Sequence, residues 1–541
     1  MADSLERLAN AVLMPGYLAS RPPAWVERER AAGLAGVVLF AQNVWAEAID
    51  AAGGFLVAID EEGGTVTRID AAGGSPLPGA AQLGAIDDPD ATRRVGRMLG
   101  ERAATVGANL VIAPVADVNT NPANPVIGTR SYGADAARVA RHVAATVRGL
   151  AEAGAVAVPK HFPGHGDTEV DSHHGLPVSG ASAVSHKEVH LEPFRAAIAA
   201  GARVIMTAHL VVREWGDVPA TLNADALGRL RALGFEGVIM SDALDMGAVK
   251  DRYGTPGAAV RALAAGCDLL CISNPANPGS SGDDEADFLA VRDGIVAAVR
   301  DGSLSRARLE DAAARVAALR AEVAAAGAGG AVGVRVDGAG AAAVRADGPE
   351  AGAAGTRGAG AAGVRADGAA GVPGAGAAGR SRELSPADAE FAARIADAAL
   401  RLDGRSAPMP GPRRVLDARA AATWAVAANG GAIAGVIAAG GTVERWSERV
   451  RTADGERVVL LVDRLAAPDQ RAAVAAFART AGDGVVVNLG VDAAPGAVPA
   501  SLAMVSTRAA SRLGAEAADR ALTAGWAQPI NSPGRTGSRR R

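Results

Sequence analysis

Four of the eight histidines in this 541-residue chain lie within fourteen residues, from His161 to His174. The stretch reads KHFPGHGDTEVDSHH from Lys160, so a lysine and three carboxylates are interspersed with the imidazoles. Its proline and glycines are incompatible with an amphipathic helix or a half-buried strand. A segment rich in both titratable groups and turn formers is more typical of a loop that carries chemistry than of a solvated polar loop.

The elements that must position this loop are short apolar runs separated by longer amphipathic segments over residues 1 to about 325. Most runs are continuous, as expected for parallel strands covered on both faces. Eight such runs with intervening helices predict an α/β fold, a (β/α)8 barrel. Only residues 41–54 separate the second run from the third, so the helix there is expected to be reduced or absent. The runs are Ala11–Met14, Gly36–Phe40, Phe55–Ile59, Asn109–Ala113, Ala155–Pro159, Arg203–Thr207, Gly237–Ser241 and Asp268–Ser273.

Polar or ionisable residues follow six of these eight runs. Because active sites of such barrels form at the C-terminal ends of the strands, these residues predict one ring-shaped polar pocket. Groups of both signs suit a polyhydroxylated ligand, since each hydroxyl can donate and accept, and the sequence has no phosphate-binding loop, dinucleotide fingerprint or H-E-x-x-H motif. The expected ligand is a sugar, and no cofactor is expected. The residues are Asp60, Asp117, Lys160 with His161, His209, Asp242 and Asn274.

Bulk composition argues against several classes of partner. A formal charge of −4 gives no basis for binding nucleic acid or an anionic membrane surface. Cys267 and Cys271 lie in an apolar run and are expected to be buried and unpaired. The N-terminus has no basic segment followed by an apolar one, and no apolar stretch of about 18 residues occurs. These features predict a soluble cytoplasmic protein.

The remaining sequence predicts three further segments. Residues 326–382 are rich in Ala and Gly and repeat a V-R-x-D-G unit, but they lack the bulky side chains that a solenoid would bury. They are expected to form a flexible linker. Residues 383–526 regain helical and strand patterns and predict a smaller α/β domain, and residues 527–541 predict a basic disordered tail. The barrel is assigned to residues 1–325.

Six motifs, in this order, resemble those of glycoside hydrolase family 3, and most closely its β-N-acetylhexosaminidase branch. The resemblance covers about residues 10 to 325, and the second α/β domain is similar in placement to the sandwich-type domain of the family. The motifs are DEEGGTVTR from Asp60, NPVIGTRSYG from Asn124, KHFPGHGDT from Lys160, DSH from Asp171, MTAH from Met206 and SDALDM from Ser241.

The resemblance implies roles for individual residues. Asp242 matches the nucleophile that forms a glycosyl-enzyme intermediate, His173 matches the general acid/base, and Asp171 matches the carboxylate that orients this histidine. The implied activity is release of terminal N-acetylglucosamine from cell-wall muropeptides or chitooligosaccharides. Residues in motifs that hold the terminal sugar are Asp60, Arg68, Arg130, Lys160, His161 and His209.

These residue types suit a retaining glycosidase, which needs a nucleophile and an acid/base. An imidazole, with an ordinary pKa near 6.5, can give and take a proton at neutral pH without the upward shift that a carboxyl acid would need. With two residues of separation, a turn at Ser172 would let Asp171 accept from a ring N–H of His173. Gly164 and Gly166 would let the loop move and close over the sugar.

Three alternatives stay open at this point. A phosphorylase of the same branch would use phosphate, not water, to resolve the intermediate. A metal-dependent hydrolase could hold zinc through His161, His165, Asp171 and His173. A sugar-binding protein without catalysis is disfavoured because both Asp242 and His173 are present.

Neighbouring titratable residues are expected to support the site or to lie away from it. Three histidines in helical, polar surroundings are predicted at the surface: His142, His186 and His190. Glu61 and Glu62 are expected to support Arg68 or Lys160, and Asp245 is expected to be structural. The residues expected to hold the shape of the loop by hydrogen bonds are His165, Asp167 and His174.

Overall fold

The computed structural model describes residues 4–44, 49–172, 175–277, 280–327, 383–419, 430–447, 449–453, 456–481, 484–492, 494 and 496–526. His173 and His174 lie outside these ranges. All but the first two residues of the predicted linker, and the whole predicted tail, also lie outside them.

Eight parallel strands close into a barrel. The four strands β2 to β5 form one sheet, β6 pairs with β7, and β1 pairs with β8. Main-chain hydrogen bonds join these groups: Phe162 donates to Met206 O (2.9 Å), Ser241 to Leu269 O (2.9 Å) and Val38 to Pro15 O (2.9 Å). The predicted barrel is confirmed. Its strands are β1 (Leu13–Met14), β2 (Gly36–Leu39), β3 (Leu56–Ile59), β4 (Leu110–Val111), β5 (Val156–Ala157), β6 (Val204–Met206), β7 (Val238–Met240) and β8 (Leu270–Cys271).

Helices surround the strands and bury the outward-facing apolar side chains. The inward-facing side chains of the strands form a second core inside the barrel. The helices are α1 (Leu5–Asn10), α2 (Ala24–Ala31), α3 (Ala80–Ile86), α4 (Pro89–Ala104), α5 (Ala136–Glu152), α6 (Ala183–Ser185), α7 (Glu192–Ala199), α8 (Ala224–Ala232), α9 (Gly247–Ala265), α10 (Asp284–Asp301) and α11 (Arg306–Gly327).

The short connection between β2 and β3 contains one 3-10 turn, Ala52–Gly54, in its described part. Helix α11 packs against this turn, and Arg320 of α11 donates to Gly54 O (3.1 Å). Apolar side chains of α11, such as Val316 and Leu319, join the inner core of the barrel. Helix α11 therefore covers the N-terminal ends of the barrel strands, where the reduced crossover leaves room for it.

A second sheet lies beyond the barrel and has the order β11-β10-β12-β13-β14-β9. Five strands are parallel, and β9 pairs antiparallel to β14 at one edge. Separate apolar clusters cover its two faces. Its elements are α12 (Pro386–Ala398), β9 (Arg401–Asp403), β10 (Arg414–Asp417), α13 (Gly430–Ala438), β11 (Thr442–Arg445), β12 (Val458–Val462), α14 (Pro468–Thr480), β13 (Val485–Asn488), β14 (Ala503–Ser506) and α15 (Arg512–Ala524).

This second region packs directly on the barrel. Arg94 of α4 forms a salt bridge with Asp388 of α12 (2.9 Å), and its guanidinium lies 4.0 Å from the ring centroid of Phe391. The start of α15 contacts the loop that follows β3, where Leu513 N donates to Ser75 O (3.3 Å).

The prediction that three histidines lie at the surface is wrong. His142, His186 and His190 are each at most 1% exposed. His142 lies between Thr92 Oγ1 (2.7 Å) and Asp87 Oδ1 (3.1 Å), and Ser179 Oγ lies 2.8 Å from His186 Nε2. Partners from other elements contact both ring nitrogens of His142 and Nε2 of His186, so burial is compatible with the polarity of these two side chains.

Both cysteines are free and buried, as predicted. Cys271 faces the inner core of the barrel. None of the described helices combines the length and the apolar character needed to cross a lipid bilayer.

Candidate active site

A cavity of about 150 Å³ opens at the C-terminal ends of the barrel strands. It is smaller than the pockets of about 300–1,000 Å³ that bury drug-sized ligands, so it suits one sugar ring better than several. Six of the nine residues proposed for the site line this cavity: Asp60, Arg68, Arg130, Lys160, His161 and Asp242.

Lys160 is the centre of the charged wall. Its buried Nζ lies 2.6 Å from Asp60 Oδ1 and 2.7 Å from Glu62 Oε1. Burial alone would raise the pKa of the Asp60 carboxyl, but Lys160 and then Arg68 outweigh it and hold this pKa below its usual value. Burial likewise opposes ionisation of Glu62, yet Arg130 and Lys160 lower its pKa to about 2. Both carboxylates are therefore charged at neutral pH.

Arg130 is held in a fixed plane by Glu62. Its Nε donates to Glu62 Oε2 (2.9 Å) and its Nη2 to Glu62 Oε1 (2.8 Å). Such a two-pronged pair fixes orientation as well as distance. The pKa of Arg130 is raised above its usual value, because Glu62 and Asp60 outweigh the effect of burial. The prediction that Glu62 supports a neighbouring cation fits this geometry.

Asp117, which the sequence marked only as a strand-end residue, organises two histidines. Its Oδ2 lies 2.7 Å from His161 Nδ1, and its Oδ1 accepts from His165 N (2.7 Å). Because a carboxylate accepts, the His161 proton is assigned to Nδ1, which leaves the Nε2 lone pair facing Arg130 Nη2 at 3.4 Å. Burial opposes the charge on Asp117, but His161 outweighs it and lowers the pKa of this carboxyl.

Replacement of Asp117 by asparagine tests this arrangement. The amide would favour the other tautomer of His161, whose Nε2–H would then face the guanidinium of Arg130. We expect kcat/KM to fall by about 10–100-fold, the equivalent of one lost charge-assisted hydrogen bond. Asp217→Asn, at an exposed aspartate, is the matched control. Unchanged kinetics for Asp117→Asn would contradict the assigned tautomer.

Asp242 lies half-buried in the cavity wall after β7, and its Oδ1 accepts from Ala243 N (2.8 Å). His209 takes a different place from the one implied by the motif. It is fully buried behind the wall, with Nε2 2.9 Å from Ala243 O and Nδ1 2.9 Å from Thr221 Oγ1. This position lets His209 hold the main chain beside Asp242.

The histidine-rich loop reaches the same cavity through Ser172. Ser172 is buried and lines the cavity, its Oγ lies 3.3 Å from His165 Nε2, and its main-chain oxygen accepts from Ala248 N (3.2 Å). The half-buried Asp171 precedes it, while His173, which follows it, lies outside the described residues.

His165 acts on the shape of this loop. Its Nδ1 lies 2.7 Å from Thr168 Oγ1, in keeping with the predicted supporting role. Burial, followed by the effect of His161, lowers the pKa of His165 to about 4, so it is neutral at pH 7.

The opposite wall is built from amides and Asp245. Gln42 Nε2 donates to Asn274 Oδ1 (3.0 Å), and Asn277 Nδ2 donates to Asp245 Oδ2 (2.9 Å). Burial raises the pKa of Asp245 to about 6. The contact with Asn277 fits the predicted structural role of Asp245, because it ties the loop after β7 to the loop after β8.

The ring nitrogens of His161 and His165 contact Asp117, Arg130, Thr168 and Ser172. Within the part of the chain that the structure describes, no three His, Cys, Asp or Glu side chains are grouped closely enough to hold a metal ion. His173, which the zinc alternative also requires, lies outside that part.

Comparison with known proteins gives the relationship of the chain. Residues 42–319, slightly more than half of the sequence, match the family model for the glycosyl hydrolase family 3 N-terminal domain. A β-N-acetylglucosaminidase/β-glucosidase of Cellulomonas fimi is 32% identical over 254 residues, which make up 44% of this chain and 43% of that protein. The β-hexosaminidase LpqI of Mycobacterium tuberculosis is 33% identical over 255 residues, 45% of this chain and 62% of LpqI. The matched region thus spans less than two thirds of either relative.

A solved structure extends the likeness to both regions. A glycoside hydrolase family 3 β-N-acetylglucosaminidase from Paenibacillus sp. strain FPU-7 superposes with a TM-score of 0.73 at 26% identity, and covers 97% of this chain and 98% of its own. Together with the matched family model, this likeness shows that the chain belongs to glycosyl hydrolase family 3.

Proposed function

We propose that this protein is a retaining exo-β-N-acetylglucosaminidase that releases terminal N-acetylglucosamine from cell-wall muropeptides or chitooligosaccharides. The observation that carries the proposal is one small cavity in which Asp242 shares the wall with a charged cluster, formed by Asp60, Lys160 and Arg130. The names of the relatives support the choice of sugar: a β-N-acetylglucosaminidase, a β-hexosaminidase and a protein named both β-N-acetylglucosaminidase and β-glucosidase.

The charged wall suits the hydroxyls of one terminal sugar. The carboxylate of Asp60 accepts from hydroxyls, while Lys160 and Arg130 donate to their oxygens. These side chains are already held by one another, so the wall is preorganised and little ordering is needed on binding. A cavity of about 150 Å³ supports attack at the end of a chain.

The proposed reaction has two displacements. The Asp242 carboxylate attacks the anomeric carbon, and the bond to the leaving oxygen breaks as His173 delivers a proton to that oxygen. Water then attacks the same carbon, His173 takes the proton, and the bond to Asp242 breaks. Two inversions give net retention of the β configuration. The position of Ser172 in the cavity wall supports a role for the adjoining His173.

The test is turnover by the wild-type protein of p-nitrophenyl β-N-acetylglucosaminide, the matching β-glucoside and N,N′-diacetylchitobiose. We expect preference for the N-acetylated substrates, with the β-anomer as the first product by NMR. Release of sugar 1-phosphate in phosphate buffer would show that the protein is a phosphorylase and not a hydrolase. Equal or better turnover of the glucoside would contradict the proposed substrate.

The cytoplasmic location also stays a prediction, which cell fractionation tests.

The acid/base role of His173 predicts a dependence on the leaving group. In His173→Ala, we expect turnover of diacetylchitobiose to fall by on the order of 10²–10⁴-fold, because its sugar leaving group needs a proton. A substrate with an acidic phenol as leaving group should lose much less in the first displacement. His174→Ala is the matched control at the adjacent histidine. Near-normal turnover of the disaccharide by His173→Ala would remove His173 from the proposed mechanism.

A further inference from the structure

Two direct ties connect the loop after β3 with the loop after β4. The first is the ion pair between Glu62 and Arg130. The second is a pair of hydroxyls, in which Thr65 Oγ1 lies 3.0 Å from Thr129 Oγ1. Thr65 is buried in a tight turn that the bond from Glu62 N to Val66 O closes (3.1 Å). Thr129 directly precedes Arg130, so the hydroxyl pair lies beside the ion pair along both loops.

The C-terminal region supplies a third partner to this pair. Ala510 N donates to Thr65 Oγ1 (3.2 Å), although the two residues are 445 positions apart in sequence. Ala510 precedes Ser511, the residue whose side chain caps the N-terminus of α15. In the first turn of the same helix, Leu513 N donates to Ser75 O. Such N–H groups have no acceptor within their own helix, and here the barrel loop supplies one.

Backbone-to-backbone packing leaves this contact little freedom. A Cβ added at Gly74 would lie 2.8 Å from Arg512 N, and one added at Gly64 would lie 2.5 Å from Gly79 Cα within the barrel loop itself. Both glycines have positive φ values, of 86° and 56°, which side chains of L-residues disfavour. The sequence thus permits α15 to dock with its N-terminus against the loop that carries Glu62.

We propose that Thr65 and Thr129 are positioning residues through which the C-terminal region holds Glu62 and Arg130 in the geometry that binds the sugar. The inference rests on the proposed function, because it takes Arg130 as part of the sugar-binding wall. Removal of the Thr65 hydroxyl leaves Ala510 N without this acceptor and Thr129 without this partner, and loosens the second of the two ties between the loops. Of the two ties between the loops, only the Glu62–Arg130 ion pair then remains to hold Arg130.

The test compares Thr65→Val with Thr65→Ser. For Thr65→Val, we expect KM for an N-acetylglucosaminide to rise about 5–10-fold with kcat within about twofold of wild type, the size of effect of one hydrogen bond. Thr65→Ser retains the hydroxyl and is expected to restore KM. Thr129→Val should also raise KM, and the double variant should be no worse than Thr65→Val, because Thr65→Val already removes the contact with Thr129.

The matched control is Thr92→Val. Thr92 is also buried, but its hydroxyl contacts His142 between α4 and α5. This variant should lower the melting temperature and leave KM unchanged. If Thr65→Val lowers only the melting temperature, or if Thr65→Ser fails to restore KM, Thr65 is not a positioning residue and the inference is overturned.

Hydrogen–deuterium exchange of the unliganded protein separates this inference from the proposed function. We expect faster exchange in the loop containing Thr129 and Arg130 for Thr65→Val, and wild-type exchange for Thr65→Ser. If the wild-type protein turns over no N-acetylglucosaminide while exchange changes as expected, the proposed function fails and the mechanical coupling stands. Unchanged exchange in Thr65→Val overturns the coupling, whatever the activity.

Discussion

Replacement of Asp242 by asparagine is expected to lower kcat on p-nitrophenyl β-N-acetylglucosaminide by on the order of 10⁴-fold or more, as loss of a covalent nucleophile does elsewhere. Asparagine has nearly the same shape, and its amide oxygen can still accept from Ala243 N as Asp242 Oδ1 does. The fold and the charged wall should persist, so KM and the melting temperature should change little. The measurement is steady-state kinetics beside a thermal melt.

Asp242→Gly distinguishes a nucleophile from a residue that only shapes the site. The smaller side chain leaves room for azide, which should restore turnover and give an α-glycosyl azide through a single inversion. Asp251→Asn, at an exposed aspartate of α9, is the matched control and should keep wild-type rates. If Asp242→Asn retains a tenth of wild-type activity, the proposed covalent mechanism is wrong.

The barrel and most of its polar lining were predictable because the signals are local. Each strand is a short apolar run, and Asp60, Lys160 and Asp242 follow such runs directly. The reduced crossover between β2 and β3 was visible as a short connection. That α11 fills the space beneath it was not, because its sequence predicts a helix and says nothing about where that helix packs.

The site features that the sequence did not specify depend on contacts between distant residues. Asp117 was recognised at the end of a strand, but its bonds to His161 and His165 require the two loops to meet. His209 also follows a strand, yet it turns behind the cavity wall. A strand-end position therefore identifies candidates without telling which side chains face the cavity.

The wrong prediction for the three helical histidines has the same origin. A polar residue in a polar stretch is usually exposed, and nothing within α5 reveals the hydroxyl of Thr92 beside His142. The contact of Ala510 with Thr65 is an extreme case, since it joins opposite ends of the chain. Polar side chains whose partners come from other elements are the ones that local patterns misplace.

Lys160→Met is expected to be the most destabilising single change in the cavity wall. Lys160 is 2% exposed and lies between two ionised carboxylates, Asp60 and Glu62. Methionine has similar length and removes the cation, so two like charges face each other in a buried site. Loss of one partner from a buried ion pair costs about 3–5 kcal/mol, and Arg68 and Arg130 limit the cost here to the lower part of this range. Chemical denaturation measures this loss of unfolding free energy, and Lys187→Met, at an exposed lysine, is the matched control.

The pH dependence of this loss gives the sharper test. In the wild-type protein the pKa of Glu62 is lowered to about 2, and that of Asp60 is also lowered. The ionised carboxylates therefore stabilise the fold above about pH 4.5, and this contribution is lost as the pH falls toward 2. Without Lys160, burial and mutual repulsion should raise the pKa values of both Asp60 and Glu62. In the variant, one of these carboxylates should therefore take up a proton at a higher pH than in the wild type, which removes the repulsion between them. We therefore expect the difference in unfolding free energy between wild type and Lys160→Met to be largest at pH 7 and to narrow by pH 4. A difference that stays constant from pH 7 to pH 4 would mean that Lys160 contributes packing rather than charge to the cavity wall.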